Sequence, residues 1–333
     1  MFTKATVTER GAILLGRSVA CDAFDPSKPL RVVTHAHADH MNGLRQSLRN
    51  SEKVLMTKAT KDLIGVLEST RCLAGGNVET LNYGKTMVYE DEQITFFRAD
   101  HILGAAQVQV EDAEGFRLVN TGDFRIEDTP VLPADILVME ATYGSPWCRR
   151  AFAKEVKNQL VSIVEKGLKH GTVYIFGYHG KLQEVMQILS MKGLEVPFVV
   201  PERVFHVSKV CEEHGMNVGS LMLSDTKEGR EMLETNSTCV AFHHTSSKNR
   251  IHENAFQITV SGWEFNSALH EIGDKEYIIA LSDHSDFYEL IEYVKQSKPK
   301  LVITDGFRAA HAQTLAKEIH KRFEIPAVAL PER

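Results

Sequence analysis

No apolar run in the 333-residue sequence approaches the roughly 18 residues that a membrane-spanning helix needs. The opening Met1-Phe2-Thr3-Lys4-Ala5-Thr6 lacks the charged-then-apolar layout of a secretory signal, and Gly11-Ala12-Ile13-Leu14-Leu15-Gly16 is too short to serve as one. Cysteine is scarce and odd in number: Cys21, Cys72, Cys148, Cys211 and Cys239 are scattered and never form a Cys-x-x-Cys pair. That pattern argues against a disulfide framework and reads as reduced thiols, mostly in or near the core. These absences predict an intracellular chain, cytoplasmic or nuclear, with no membrane partner. Internal repeats, low-complexity tracts and long Pro/Gly linkers are also missing. The net charge is −6, so a polyanionic partner would have to be held by a local basic groove or by bound cations.

Against this background stands Thr34-His35-Ala36-His37-Ala38-Asp39-His40, directly after the mostly apolar Leu30-Arg31-Val32-Val33. Such a run reads as a buried strand that delivers a loop at its C-terminal end. Imidazole and carboxylate suit zinc and related divalent ions. On a tight loop His35 and His37 can converge on one metal, with Asp39 and His40 facing a second. The alternative is a surface loop that happens to be rich in histidine.

The length suits two domains, or one domain with an insertion. Up to about residue 145 short β-runs dominate: 54–56, 93–97, 106–110, 116–119 and 136–139. One helix, from Lys58 to Ser69, interrupts them behind Thr57 as N-cap. From about 150 to 260 helix and strand alternate, with helices at 152–168, 181–191 and 204–214 and strands at 173–176 and 198–200. Alternation of this kind predicts a small, mostly parallel sheet. Further strands follow at 255–260, 277–281 and 301–303, and helices at 287–296 and 311–323. The second block therefore reads as inserted into the first domain.

Three later strand ends could complete a two-metal site. His101 precedes Ile102-Leu103-Gly104, Asp123 sits in Asn120-Thr121-Gly122-Asp123-Phe124, and His284 sits in Leu281-Ser282-Asp283-His284-Ser285-Asp286. Each alone reads as a hydrogen-bonded turn residue. Together, in this order, with the loop at 35–40, they read as a metal centre. The series resembles the metallo-β-lactamase fold and, more narrowly, the β-CASP group of nucleic-acid-processing enzymes, including short exonuclease-like members associated with DNA ligases. His101-Ile102-Leu103-Gly104-Ala105-Ala106-Gln107-Val108, Met139-Glu140-Ala141-Thr142-Tyr143-Gly144 and the block at 281–286 carry the narrower match.

That resemblance implies an α/β fold: a metallo-β-lactamase αββα sandwich from 1–148 and 263–333, with an inserted β-CASP-like α/β domain at 149–262. It implies two divalent ions, Zn²⁺ or alternatively Mn²⁺. His35, His37 and His101 would hold the first, Asp39, His40 and His284 the second, and Asp123 would bridge them. Asp39, His284 and Glu140 would carry the chemistry, with Glu140 orienting His284. Asp22 is the candidate brace of the His loop, and Asp25 is nearly as good. Where RNA-cutting members have His before Gly, and DNA-directed members an apolar residue, this chain has Thr304-Asp305-Gly306-Phe307. Asp305 matches neither, and with Ser282 it is a candidate on the substrate side.

Two ions sharing a carboxylate and a water suit phosphodiester hydrolysis. In the inserted block, Phe176-Gly177-Tyr178-His179-Gly180-Lys181 joins strand to helix through two glycines. Its backbone N–H groups and Lys181 suit a phosphate, and Tyr178 and His179 a base; a plain tight turn is the equal alternative. Thr245 to Arg250, Arg149 and Arg150 read either as backbone contacts or as solvated residues, and Trp147 and Trp263 as core or rim. The expectation is a nuclease, DNA favoured over RNA and an exonuclease of repair or end processing. RNA 3′-end maturation by the same chemistry is the first alternative. A non-catalytic partner protein that kept the fold is the second.

Overall fold

The computed structural model describes residues 4–252 and 254–332. The chain forms two compact units, Met1–Arg149 with Asp283–Arg333, and Arg150–Ser282. In the first unit, two sheets face each other. One has six strands in chain order: Ala5–Val7, Ile13–Leu15, Val19–Cys21, Leu30–Val32, Lys53–Met56 and Val78–Thr80. The other runs from Ala327–Leu330 through Leu301–Asp305, Ile136–Met139, Arg117–Asn120, Ala106–Glu111 and Glu92–Arg98 to Thr86–Tyr89.

Period-two alternation explains the sandwich. Ile13, Leu15, Leu30 and Val32 of one sheet meet Ile94, Phe96, Val108, Val110, Ile136, Val138, Leu301 and Ile303 of the other in one buried cluster. Helix Phe287–Ser297 covers the second sheet's outer side: the Tyr293 hydroxyl donates to Gln107 Oε1 at 2.5 Å, and Tyr293 packs against Phe124. This is the αββα arrangement of the metallo-β-lactamase fold.

Around Lys58 the expected single helix is shorter. An α-helix spans Lys58–Ile64, capped by the Thr57 hydroxyl, and then widens at Gly65–Ser69. Thr57 also ties this helix to a later turn, since the Thr57 and Thr60 hydroxyls donate to the Gly104 carbonyl at 2.8 and 3.0 Å. Gly104 has φ +83°, and a Cβ there would lie 2.6 Å from Thr60 N. Gly104→Ala is therefore expected to destabilise the protein by about 2 kcal/mol or more, read as a lower urea midpoint, because the turn after His101 has neither the space nor the φ for a side chain.

The second unit is built on a seven-stranded sheet. Its order is Leu221–Leu223, Phe198–Val200, Val240–His244, Val173–Gly177, Phe256–Val260, Glu276–Ile279 and Leu269–Gly273, parallel except for the last pair. Here the structure corrects the expected boundary. Residues 263–282 belong to this unit rather than returning to the first, because Glu276–Ile279 pairs with Phe256–Val260. An apolar run announces a strand but not which neighbour it pairs with. Among the described residues no helix is long and apolar enough to cross a membrane.

Candidate metal centre

The His loop leaves strand Leu30–Val32 and is fastened from below by Asp22, which is fully buried and adopts φ +61°. Its Oδ1 accepts from Thr34 N at 2.8 Å, and its Oδ2 accepts from the Thr34 hydroxyl at 2.8 Å and from His40 Nδ1 at 2.9 Å. With its proton given to Asp22, the Thr34 hydroxyl is left to accept from His35 Nδ1 at 3.1 Å. One carboxylate thus sets the tautomers of two imidazoles and turns both Nε2 atoms toward the centre. Of the two aspartates open in the sequence, Asp22 makes these bonds, while Asp25 accepts from Ser27 in an exposed turn.

His101 is oriented in the same way. Its Nδ1 donates to the Asp283 carbonyl at 2.8 Å, so Nε2 presents a lone pair 3.0 Å from His37 Nδ1. His35 Nε2 lies 3.1 Å from the same atom. Asp123 Oδ2 stands 3.8 Å from His35 Nε2, 3.8 Å from His101 Nε2 and 3.3 Å from His40 Nε2. Asp39 Oδ2 is 3.4 Å from that last nitrogen. Ligand atoms of His35, His37, His101 and Asp123 all fall within 4.8 Å of one another, as do those of Asp123, Glu140 and His284. Asp123 is common to both sets.

Glu140 ties the remaining pieces together. Its Oε1 accepts from Phe124 N at 2.9 Å, and its Oε2 accepts from His284 Nδ1 at 2.9 Å. The same carboxylate therefore positions the Asp123 turn and the His284 ring.

Charges follow from burial and neighbours. Burial, helped by the charges of the neighbouring imidazoles, pushes His35 well below its ordinary range, and burial does the same more mildly for His101. For His40 burial acts downward, but the Asp123 and Asp22 carboxylates outweigh it and hold the ring well above that range. His284 is raised to about 9 because Glu140 overcomes the cost of burial. Asp123 is opposed by burial, yet the charge of His40 keeps it well below the usual carboxylate range.

A metal fits this donor set on three counts. The Nε2 atoms of His35 and His101 converge on His37 Nδ1 at 3.1 and 3.0 Å, where a single proton can serve only one of the two contacts and a cation can serve all three nitrogens. Tetrahedral zinc bonds of about 2.0 Å would leave such nitrogens only slightly farther apart. His40 Nε2 is buried without a hydrogen-bond partner although two carboxylate oxygens stand close. And the donors are imidazole and carboxylate, the set that suits zinc or manganese.

Two arginines that the sequence did not mark as part of the site hold the loop's main chain. Arg31, 1% exposed, donates to the carbonyls of His40 at 2.9 Å and Asn42 at 3.2 Å. Arg308 donates to the carbonyls of Gly11, Asp22 and Asp39 at 2.9, 3.2 and 3.2 Å, and to Asp305 Oδ2 at 2.7 Å. A charged residue inside an apolar strand was the available signal for Arg31. Arg308 had none, since carbonyl acceptors carry no side-chain signature.

The substrate-side expectations change. Asp305 is buried, accepts from Phe307 N and pairs with Arg308; it serves the loop rather than a substrate. Ser282 is also buried. In the second unit the Gly180 N–H donates to Gln183 Oε1 at 2.8 Å, so that donor is taken from the expected phosphate seat. Tyr178 is exposed, edge-on to His244, and His179 and Lys181 are half-buried beside it. Lys248 pairs with Glu276, and Arg150 is buried against the carbonyls of Gly262, Glu264 and Ala280. Trp147 and Trp263 are both exposed.

No model of a known protein family matches the chain. An "Uncharacterized protein in lig 3'region" of Acidianus ambivalens is 38% identical over 138 residues, which is 41% of this chain and 99% of that protein. A "Probable DNA ligase" of Opitutus terrae is 26% identical over 306 residues, 88% of this chain but 28% of that protein. An "RNase J-like protein" of Methanocaldococcus jannaschii is 28% identical over 242 residues, 61% of this chain and 56% of that protein. The chain thus spans nearly all of the first relative and only about a quarter to a half of the other two. With the αββα sandwich and the His/Asp centre on its strand ends, the chain belongs to the β-CASP group of metallo-β-lactamase-fold nucleases. That membership implies divalent metal ions.

Proposed function

We propose that the protein is a two-metal phosphodiesterase acting on nucleic acid, a DNA exonuclease of repair or end processing. The observation that carries this reading is the position of Asp123 within ligand distance of both clusters. His35, His37 and His101 would hold one divalent ion, Asp39, His40 and His284 the other, with Asp123 shared and zinc the metal that suits the donors best. When bound, such a pair acidifies a water and neutralises charge that builds on phosphorus. The chain's own residues do the rest. Asp39, its carboxylate 59% exposed against 13% for Asp123, is placed to accept the water's proton. Glu140 holds Nδ1 of His284 so that Nε2 faces the centre, and Asp22 does the same for His40. The second unit is read as the inserted β-CASP-like domain, with Tyr178, His179 and Lys181 as its nucleic-acid contacts.

DNA is favoured because the ligase relative aligns with 88% of the chain. RNA is the second reading, since the "RNase J-like protein" aligns with 61% of it. End-labelled single- and double-stranded DNA and RNA, incubated with the zinc- or manganese-loaded protein, test both. DNA shortened from one end is the expected result; cleavage of RNA alone overturns the DNA assignment. Chelation should stop cleavage and lower the melting temperature by several degrees, about what loss of 1–2 kcal/mol of metal binding produces, and reloading should restore both. A chelated protein that still cuts removes the two-metal reading.

A further inference from the structure

Two segments leave the candidate centre side by side. One runs from Glu140 to Arg149 and the other from His284 to Tyr288, and they are joined at both ends. At the centre His284 Nδ1 donates to Glu140 at 2.9 Å, and farther out Phe287 N donates to the Cys148 carbonyl at 3.0 Å. Buried Tyr143 stands edge-on to His284 between these two links, with ring centroids 5.8 Å apart. On either side of the outer link the segments expose aromatic and cationic groups. Trp147 is 57% exposed and stands edge-on to His311 at 5.5 Å. Tyr288 is 46% exposed, and the Arg149 guanidinium lies over its ring at 5.6 Å.

Among the described residues of this unit, the large apolar side chains left this exposed are Tyr83, Val88, Trp147 and Tyr288. Two of the four flank one link to the centre. Isolated exposed apolar groups need no explanation, but two aromatic rings, each with a cationic or polar neighbour, on segments anchored to a candidate metal ligand do. Tyr288 is four residues from His284, so at most about 14 Å of chain separates them. That is on the order of two nucleotides of extended strand.

We propose that Trp147, Arg149 and Tyr288 form a stacking platform for single-stranded nucleic acid next to the scissile phosphate. The proposal rests on the phosphodiesterase reading above. Trp147 offers a face to a base, Tyr288 a second ring, and Arg149 a guanidinium that reaches a backbone phosphate from its place over Tyr288. Paired bases already stacked in a duplex cannot use the rings, so the platform selects a single-stranded end.

The test uses the zinc-loaded full chain and a hydrolysis-resistant phosphorothioate dT12. Trp263→Phe leaves Trp147 as the sole indole, because the sequence has two tryptophans. Its emission should be quenched when dT12 binds. Separately, Trp147→Ala and Tyr288→Ala should each weaken dT12 binding about tenfold, the loss of one base–aromatic stack, while Trp147→Phe keeps most of it and duplex binding barely changes. Binding with no quenching, or alanine variants that bind as tightly as the parent, overturns the platform and leaves the nuclease reading standing. A parent that binds neither dT12 nor duplex overturns both.

Discussion

Asp123→Ala is expected to keep its fold and to lose phosphodiester cleavage by about 10³-fold or more. Asp123 is the group that both ligand sets share: its Oδ2 lies 3.3 to 3.8 Å from ring nitrogens of His40, His35 and His101, and the residue groups again with Glu140 and His284. Removing it would subtract a negative charge from the surroundings of both proposed ions at once. It also strips His40 of one of the two carboxylates that hold its ring above the ordinary range. Asp123→Asn keeps the volume and should fail almost as badly, which separates charge from packing. Bound metal, counted by elemental analysis, should fall below two ions per chain while far-ultraviolet dichroism stays that of the parent. An alanine variant that cuts within about tenfold of the parent would remove the shared-carboxylate centre from consideration.

What could be read from the amino-acid order depended on the kind of interaction. The clustering of the candidate ligands was legible because metal chemistry restricts residue type and strand ends punctuate the sequence: His101, Asp123 and His284 each follow an apolar run, and the fold brings His101 and Asp123 beside His35 and His37 and brings His284 beside Asp123. The sandwich was legible through the family resemblance rather than through strand patterning, since runs such as 30–32 and 136–139 are buried throughout and show no alternation of burial. The return point of the first unit was not, since 276–279 pairs with 256–260 and 269–273 pairs with 276–279, and no local pattern says which strands become neighbours. Asp305 misled because its side chain answers to Arg308, three residues on, rather than to anything outside. Arg308 itself binds carbonyls contributed by Gly11, Asp22 and Asp39, three positions far apart in sequence. Backbone acceptors of that kind are invisible until the chain is folded.

Asp22→Asn is the change that tests how the loop is tuned, with an expected fall in activity of about 10²-fold or more and only a modest loss of stability. The Thr34 N–H needs an oxygen, so the amide keeps Oδ1 there and places its NH₂ where Oδ2 now accepts two bonds. That NH₂ must donate. His40 Nδ1 then has to accept, which leaves the ring's proton on Nε2, the nitrogen that would otherwise offer its lone pair to a bound ion. The Thr34 hydroxyl must accept from the new amide and donate to His35 Nδ1, so His35 suffers the same reversal. One isosteric substitution thereby turns two donors away from the centre, and zinc affinity should weaken about 10- to 100-fold. Asp22→Ala differs in kind. It leaves Thr34 N and His40 Nδ1 buried without an acceptor, close to the Arg31 and Arg308 charges, and should cost about 3 kcal/mol or more of stability. Zinc titrations followed by calorimetry, set beside urea midpoints, read the two effects apart. An Asn variant with parental zinc affinity would show that Asp22 braces the loop without setting its tautomers.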